Sequence, residues 1–219
     1  MDFEKARFNM VEQQIRPWEV YDARVLELLS HVKREDFVSE DKRRLAFADI
    51  ELPLPNGSFM LQPKLEARVI QELAIQDNDK VLEVGTGSGY VTALLAKCAK
   101  WVFSLDIDSK MQQIAEQRLK KAGINNVTLV QGNGLDGLKD NAPFDVIVVG
   151  GSLPVVPKVL MDQLAIGGRM MVVVGDKPIM KMKRIRREAD KTLLETNLFE
   201  TCITRLVGFE TIEPERFIF

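Results

Sequence analysis

Hydrophobic positions change their rhythm twice along this chain. Over the first fifty residues Phe3, Ala6, Met10, Val11 and Ile15 recur at helical spacing. The spacing predicts a helix that stops before Pro17, because proline disfavours helix in the residue ahead of it. A second helix is expected from Asp22, whose side chain suits an N-cap, through Val25, Leu26, Leu28 and Leu29 to about Val32. The stretch LAFADIELPLPNGS then gathers Pro53, Pro55 and Gly57 into an irregular connection. Helical spacing resumes after Pro63, with Leu65, Val69, Ile70 and Leu73 on one face.

From Lys80 onward short β-rich runs alternate with helical ones: KVLEV, TALLAKCA, WVFSLDI, SKMQQIAEQRLKKAG, NVTLVQG, FDVIVVG, VPKVLMDQL and RMMVVVG. The runs Val146 to Val149 and Met170 to Val174 are apolar at every position, as expected of parallel strands covered on both faces. The alternation predicts a doubly wound, mostly parallel α/β sheet. IMKMKRIRRE and TLLETNLFETCITRL lack helical periodicity and are expected as antiparallel strands added at the sheet edge. The basic run from Lys181 to Arg187 is interleaved with Met182 and Ile185 and reads as a solvated edge strand.

Composition narrows the function classes. With 219 residues and 46% hydrophobic content the chain can bury a sizeable core. Thirty Lys and Arg against 32 Asp and Glu leave a net charge of −2, so no global positive field draws it to nucleic acid or anionic lipid. Cys98 and Cys202 stand far apart, without the close pairs that ligate zinc, so no metal site is expected. The opening MDFEKARFNMVEQQ has no apolar h-region, and no apolar run approaches the ~20 residues that span a bilayer. A soluble, cytoplasmic protein without a membrane partner is the expectation. His31, the single histidine, has no nameable catalytic partner and reads as a surface or packing residue.

The chemistry concentrates in VLEVGTGSGY, Val81 to Tyr90, a strand that runs through Gly85, Gly87 and Gly89 into a helix. Glycines permit a tight turn and close approach of a ligand, and the helix beyond offers unpaired N–H groups. The dinucleotide pattern G-x-G-x-x-G requires a third glycine where this chain has Tyr90. What remains, E-x-G-x-G-x-G, has the spacing of methyltransferases that use S-adenosylmethionine. Asp106, ending the next strand about twenty residues on, can accept both ribose hydroxyls; the competing role, helix cap, suits Asp108 and Ser109 better. Glu83 can orient either the loop or the ligand's amino group. Asn133 in QGNG can accept from an adenine amino group or serve as an ordinary turn residue. Gly150 and Gly151 follow the fourth strand, where a backbone without side chains leaves room for ligand or acceptor. Thr86, Ile107 and Gly134 complete the expected cofactor-binding set.

Taken together, MVEQQI, VKREDFV, LPLPNGSFMLQP, VLEVGTGSGY, QGNGLDGL, APFDVIVVGGSLPVVPKVLMDQLAIGGRM and VVVG resemble the protein-L-isoaspartate O-methyltransferase family. The resemblance implies a seven-stranded, Rossmann-like methyltransferase sheet with an N-terminal helical cap, and S-adenosylmethionine as cofactor. It implies a cap and acceptor loop over residues 1–62 and a cofactor-binding core over 63–219, together one compact unit. It also implies a protein or peptide carboxylate as methyl acceptor and a monomer. The acceptor side departs from the family. Where members usually carry T-I-S-x-P this chain has Phe59-Met60-Leu61-Gln62-Pro63, so Leu61 replaces the serine associated with the acceptor. Asn133 stands where the family has Asp, and Thr204-Arg205-Leu206 where it has Val-Pro-Leu. Ser58, Leu61 and Pro63 are the expected acceptor-binding residues. Three readings follow: methylation of isoaspartyl residues, a methyltransferase with a less polar acceptor, or a non-catalytic S-adenosylmethionine-binding regulator.

Overall fold

A computed structural model gives the fold for residues 1–212; the end of the expected core segment, 213–219, lies outside the described residues. Asp2 accepts from the Lys5 amide and opens α1, Phe3–Met10, and Asp22 accepts from the Arg24 amide and opens α2, Ala23–His31. The first helical run does not end ahead of Pro17. It continues as a π-helical segment, Val11–Ile15, and then a 3-10 turn, Arg16–Trp18, that contains the proline. Proline fits there because the N–H it lacks is one that a starting helical turn leaves unpaired anyway. Glu19, at φ 60°, closes that turn.

The connection expected to be irregular holds a small hairpin. β1, Leu52–Pro53, pairs antiparallel with β2, Phe59–Met60. Asn56 Oδ1 accepts from the Ser58 amide, and Gly57 supplies the left-handed φ of 82° that brings the chain back. Pro63 then occupies the first position of α3, Pro63–Leu73.

Strands and helices alternate from there: β3, Lys80–Val84; α4, Tyr90–Cys98; β4, Trp101–Asp106; α5, Ser109–Lys121; β5, Val127–Gln131; β6, Phe144–Leu153. They continue through α6, Lys158–Asp162, and β7, Leu164–Asp176, to the long hairpin of β8, Ile179–Ala189, and β9, Thr192–Thr201. The seven strands run β5-β4-β3-β6-β7-β8-β9. The first five are parallel, and β8 and β9 add antiparallel at one side. Because β9 folds back on it, the basic run lies on an inner strand rather than at the sheet edge. Its charges are met there, Lys183 by Glu195 and Arg184 by Glu72, while Met180, Met182 and Ile185 are buried.

Alternation along each strand divides the apolar residues between two cores. Val81, Val102, Val146, Val148, Met171 and Val173 join the helices α2, α3 and α4 on one face. Leu82, Leu105, Ile147, Val149, Met170 and Val172 face the other way, with Leu160 of α6. Period-two side chains leave strands buried on both sides no polar position to spare.

The cap is tied to this body by Arg34, which is fully buried. Its Nε donates to Glu66 Oε2 of α3 at 2.8 Å, its Nη1 to the Ala46 carbonyl at 2.5 Å, and its Nη2 to the Leu61 carbonyl at 2.6 Å. Burial pushes the Glu66 carboxyl up from its ordinary value, and the Arg34 charge and hydrogen bond pull it back. Removing one partner from such a pair leaves an uncompensated buried charge, at a cost of about 3–5 kcal/mol. Urea unfolding of Arg34→Met should show a loss of that size, and Arg34→Met/Glu66→Met should recover part of it. A loss below about 1 kcal/mol would show that the pair does not hold the cap.

Candidate active site

The chain leaves β3, the middle of the five parallel strands, to build β4 and β5 on one side, then returns to build β6 on the other. Such a switch opens a crevice at the carboxyl ends of the strands, where open α/β sheets bind ligands. A cleft lies there, as that topology leads one to expect. Its wall brings together Gly85, Gly87, Asp106, Ile107 and Gly134 from the core and Ser58 and Leu61 from the hairpin region.

The glycine turn is fastened from several sides. The Gly85 and Thr86 amides donate to the Leu105 carbonyl at 2.8 and 3.2 Å, and the Gly87 amide donates to Asp106 Oδ2 at 2.9 Å. Gly89 sits at φ 82° as the cap of α4, where a Cβ would come within 3.1 Å of Ala115. Tyr90, the residue that breaks the dinucleotide pattern, is buried at the start of α4. Its ring packs on Phe37 at 5.5 Å and lies under the Arg34 guanidinium at 5.7 Å, so the position anchors the turn to the cap.

Asp106 ends β4. Its Oδ1 accepts from the Asp108 amide at 2.9 Å, while Asp108, not Asp106, caps α5. A carboxylate offers about four acceptor positions, so Asp106 keeps capacity for two hydroxyls after these two amide bonds. Ile107 beside it is 46% exposed, an apolar surface at the cleft lip suited to a flat purine.

Glu83 is 1% exposed, and its Oε2 accepts from Thr92 Oγ1 at 2.5 Å and Ser104 Oγ at 2.6 Å. Ser104 Oγ also lies 2.6 Å from Thr86 Oγ1, so a hydroxyl chain runs from Glu83 into the turn. Of the two roles open to Glu83, the contacts made here are those of loop orientation. Burial pushes its carboxyl up to about 7, against the lowering effect of the two hydroxyls.

Asn133 makes the turn contact of its two readings. Its Oδ1 accepts from the Leu135 amide at 3.1 Å and caps the 3-10 turn Gly134–Asp136. Gly134 needs its bareness because a Cβ would overlap Val84. Gly150 and Gly151 lie within β6 and line the cleft, and each also has another stretch of backbone passing close to it. A Cβ on Gly150 would meet the Gly85 carbonyl at 3.0 Å, and one on Gly151 the Leu206 backbone nitrogen at 2.7 Å. Pro63 is buried at the start of α3 and does not line the cleft, since its ring serves helix initiation. Ser58 does line it, but its hydroxyl donates to Asn56 Oδ1 at 2.6 Å. His31 stands on α2, with Nδ1 donating to the Glu27 carbonyl, away from the cleft.

Sequence reading did not place Glu51 and the segment Thr204 to Val207 in this wall. The Ser152 amide donates to the Thr204 carbonyl and the Leu206 amide to the Ser152 carbonyl, both at 3.0 Å, drawing the late segment over the end of β6. Thr204 Oγ1 donates to Glu51 Oε2 at 3.2 Å. The departure from Val-Pro-Leu was the one signal these residues gave.

A second, mostly apolar pocket adjoins the cleft and shares Phe59, Leu61, Gly85, Gly87 and Gly150 with it. Its far side is formed by residues such as Val148, Met171, Met182 and Ile203.

A five-stranded parallel body with a glycine turn at the switch point, a carboxylate ending the neighbouring strand and Tyr90 where a dinucleotide loop has its third glycine is the arrangement of an S-adenosylmethionine-dependent methyltransferase. The cleft residues fit that cofactor, with spare carboxylate acceptors for the ribose, an exposed apolar lip for the base and a tight turn for the methionine end. The model of the family Protein-L-isoaspartate(D-aspartate) O-methyltransferase matches residues 5–210. The Protein-L-isoaspartate O-methyltransferase of Koribacter versatilis is 37% identical over 210 residues, 96% of this chain and 94% of that one. Its counterpart in Protochlamydia amoebophila is 40% identical over 203 residues, 92% and 96% of the two chains. A solved protein-L-isoaspartate O-methyltransferase superposes with a TM-score of 0.80 at 25% identity, covering 94% of this chain and 66% of that one. A Plasmodium falciparum structure in complex with S-adenosyl-L-homocysteine shares the fold, with a TM-score of 0.77 at 20% identity over 94% and 98% of the two chains. The chain belongs to the protein-L-isoaspartate(D-aspartate) O-methyltransferase family.

A buried carboxyl whose folded pKa is raised holds its proton better folded than unfolded. The contribution of Glu83 to stability is therefore complete below its ordinary value near 4.5 and lost as pH rises through about 7. Over that window wild type should lose stability relative to Glu83→Gln by on the order of 3 kcal/mol, at about 1.4 kcal/mol per pKa unit. Chemical denaturation at several pH values measures it. A difference that stays flat would mean that Glu83 titrates normally in the folded protein.

Proposed function

We propose that this protein methylates the free carboxylate of L-isoaspartyl residues in damaged proteins. We further propose that it works as a monomer in the cytoplasm, without a nucleic-acid or membrane partner. The observation that carries the reading is the meeting, in one cleft, of the glycine turn and Asp106 with the hairpin residues Ser58, Phe59 and Leu61. In this reading Gly85, Thr86, Gly87, Gly89, Asp106, Ile107 and Gly134 form the cofactor side, with Glu83 and Asn133 holding its loops, and Ser58 and Leu61 the acceptor side. Net charge and the relatives' names support the choice of a protein carboxylate over nucleic acid. Among the described residues no helix is long and apolar enough to cross a membrane.

When bound, S-adenosylmethionine supplies a methyl group made electrophilic by its sulfonium sulfur. The chain has no proton to move for this reaction, because a carboxyl group with a pKa near ~4 is already ionised at neutral pH. Its residues contribute alignment, holding the reacting atoms ~3 Å apart, and exclusion of water. The apolar pair Phe59 and Leu61 keeps the acceptor side dry, and the clamp from Arg34 to the Leu61 carbonyl fixes where that side stands.

One observation favours a second reading, in which the acceptor is less polar. Leu61 opens onto the adjoining apolar chamber, which would take an aliphatic group beside the reacting carboxylate.

Labelled S-adenosylmethionine offered with an isoaspartyl peptide should yield a base-labile methyl ester, and the normal aspartyl control should not. Absence of turnover on the isoaspartyl peptide at saturating cofactor would sink the first reading, and transfer to apolar carboxylic acids instead would establish the second. Leu61→Ser restores a hydroxyl worth roughly 1.5–3 kcal/mol to a charged acceptor, so the peptide KM should fall by about tenfold or more. An unchanged KM would overturn this account of Leu61.

A further inference from the structure

The acceptor side of the cleft has few donors to offer an anion. Leu61 has none, the Ser58 hydroxyl proton goes to Asn56, and the Thr204 hydroxyl goes to Glu51. Two carboxylates, Glu51 and Asp106, stand in the same wall. Among the described residues that line the cleft, Arg205 is the one cation.

Arg205 is held firmly. The backbone on either side of it is pinned to Ser152 by the Thr204 carbonyl and the Leu206 amide. Its Nη2 donates to Asp176 Oδ1, and its guanidinium lies 5.5 Å from the centre of the Phe209 ring. Nη1, by contrast, is buried and has no hydrogen-bond partner. A ring beneath a guanidinium covers its face and leaves the in-plane N–H groups unsatisfied. Buried donors nearly always have an acceptor, so an orphan in a cleft wall marks where a ligand's acceptor atom belongs.

We propose that Arg205 is the receptor for the acceptor's carboxylate, in place of the hydroxyl that Leu61 does not provide. The inference rests on the reading of this cleft as a carboxyl methyltransferase site. With Nη2 given to Asp176, Nη1 makes a single-point contact. One carboxylate oxygen is held and the other keeps a lone pair for the new O–C bond, formed as the S–C bond breaks with no proton transferred. The Asp176 pairing also tempers the positive charge, which limits how far the contact weakens the nucleophile.

The cofactor's methionine end carries a carboxylate of its own, so the test separates the two sources. Steady-state methylation of the isoaspartyl peptide and calorimetric binding of S-adenosylhomocysteine are measured for wild type, Arg205→Met, Arg205→Lys and Asp176→Asn. Arg205→Met should raise the peptide KM tenfold or more while kcat changes less than about threefold and the S-adenosylhomocysteine Kd stays within twofold. Arg205→Lys should recover part of the KM. Asp176→Asn, which frees the guanidinium but would harm a merely structural salt bridge, should leave KM unchanged or lower. A weakening confined to S-adenosylhomocysteine, or equal losses in Arg205→Met and Asp176→Asn, would overturn the proposal. If wild type does not turn over the isoaspartyl peptide, the functional reading fails separately, and Arg205 is then judged by titrating succinate into the S-adenosylhomocysteine complex. Binding that falls tenfold in Arg205→Met upholds the carboxylate receptor, and no binding or no fall overturns it.

Discussion

Arg34 is the constraint on which the working geometry depends. One guanidinium satisfies the Glu66 carboxylate on α3, the Ala46 carbonyl ahead of the hairpin and the Leu61 carbonyl after it, with the Tyr90 ring against it. Those four points belong to the core helix, the two ends of the hairpin connection and the residue that follows the glycine turn. A planar fork with donors at fixed angles can hold such a junction, where a lysine, with one point charge, would have to choose among the carbonyls. The hairpin side of the cleft and the glycine turn thus share one buried anchor.

A second network, on the far side of the turn, has the opposite character. Glu83 has no cation beside it; hydroxyls of Thr92 and Ser104 meet it, and burial raises its pKa. Ser104 relays that contact to Thr86, and Asp106 takes the Gly87 amide. The turn is therefore held by hydroxyls and by carboxyl groups that spend only part of their acceptor capacity, which leaves the remaining capacity of Asp106 facing the cleft. Rigid support beneath and unspent hydrogen bonding above are what a preorganised small-molecule site requires.

The legible parts of the chain were those governed by near neighbours. The continuous apolar runs of β6 and β7, the caps at Asp22 and Asp108, and the glycine turn followed by a helix are all decided within a few residues. Misreadings fell where a distant segment settles a local ambiguity. Pro17 ended a helix on local grounds, yet a change of helix type carries the chain through it. The basic run of β8 looked like an edge until β9 folded against it. Asn133 kept two readings open because an amide oxygen suits an adenine or a turn equally well, and the folded chain shows the turn contact, to the Leu135 amide.

By itself the sequence determined a doubly wound sheet, a glycine turn without a dinucleotide's third glycine, and an acidic strand end. These follow from residue type, periodicity and spacing, which a linear reading retains. The tertiary structure alone decided that Gly151 makes way for Leu206, that Arg205 stands in the cleft wall with an unmet nitrogen, and that Tyr90 and Leu61 share Arg34. Each joins residues more than twenty positions apart. Such contacts are set by how two faces of a sheet are covered and where the chain returns, and no local pattern encodes that.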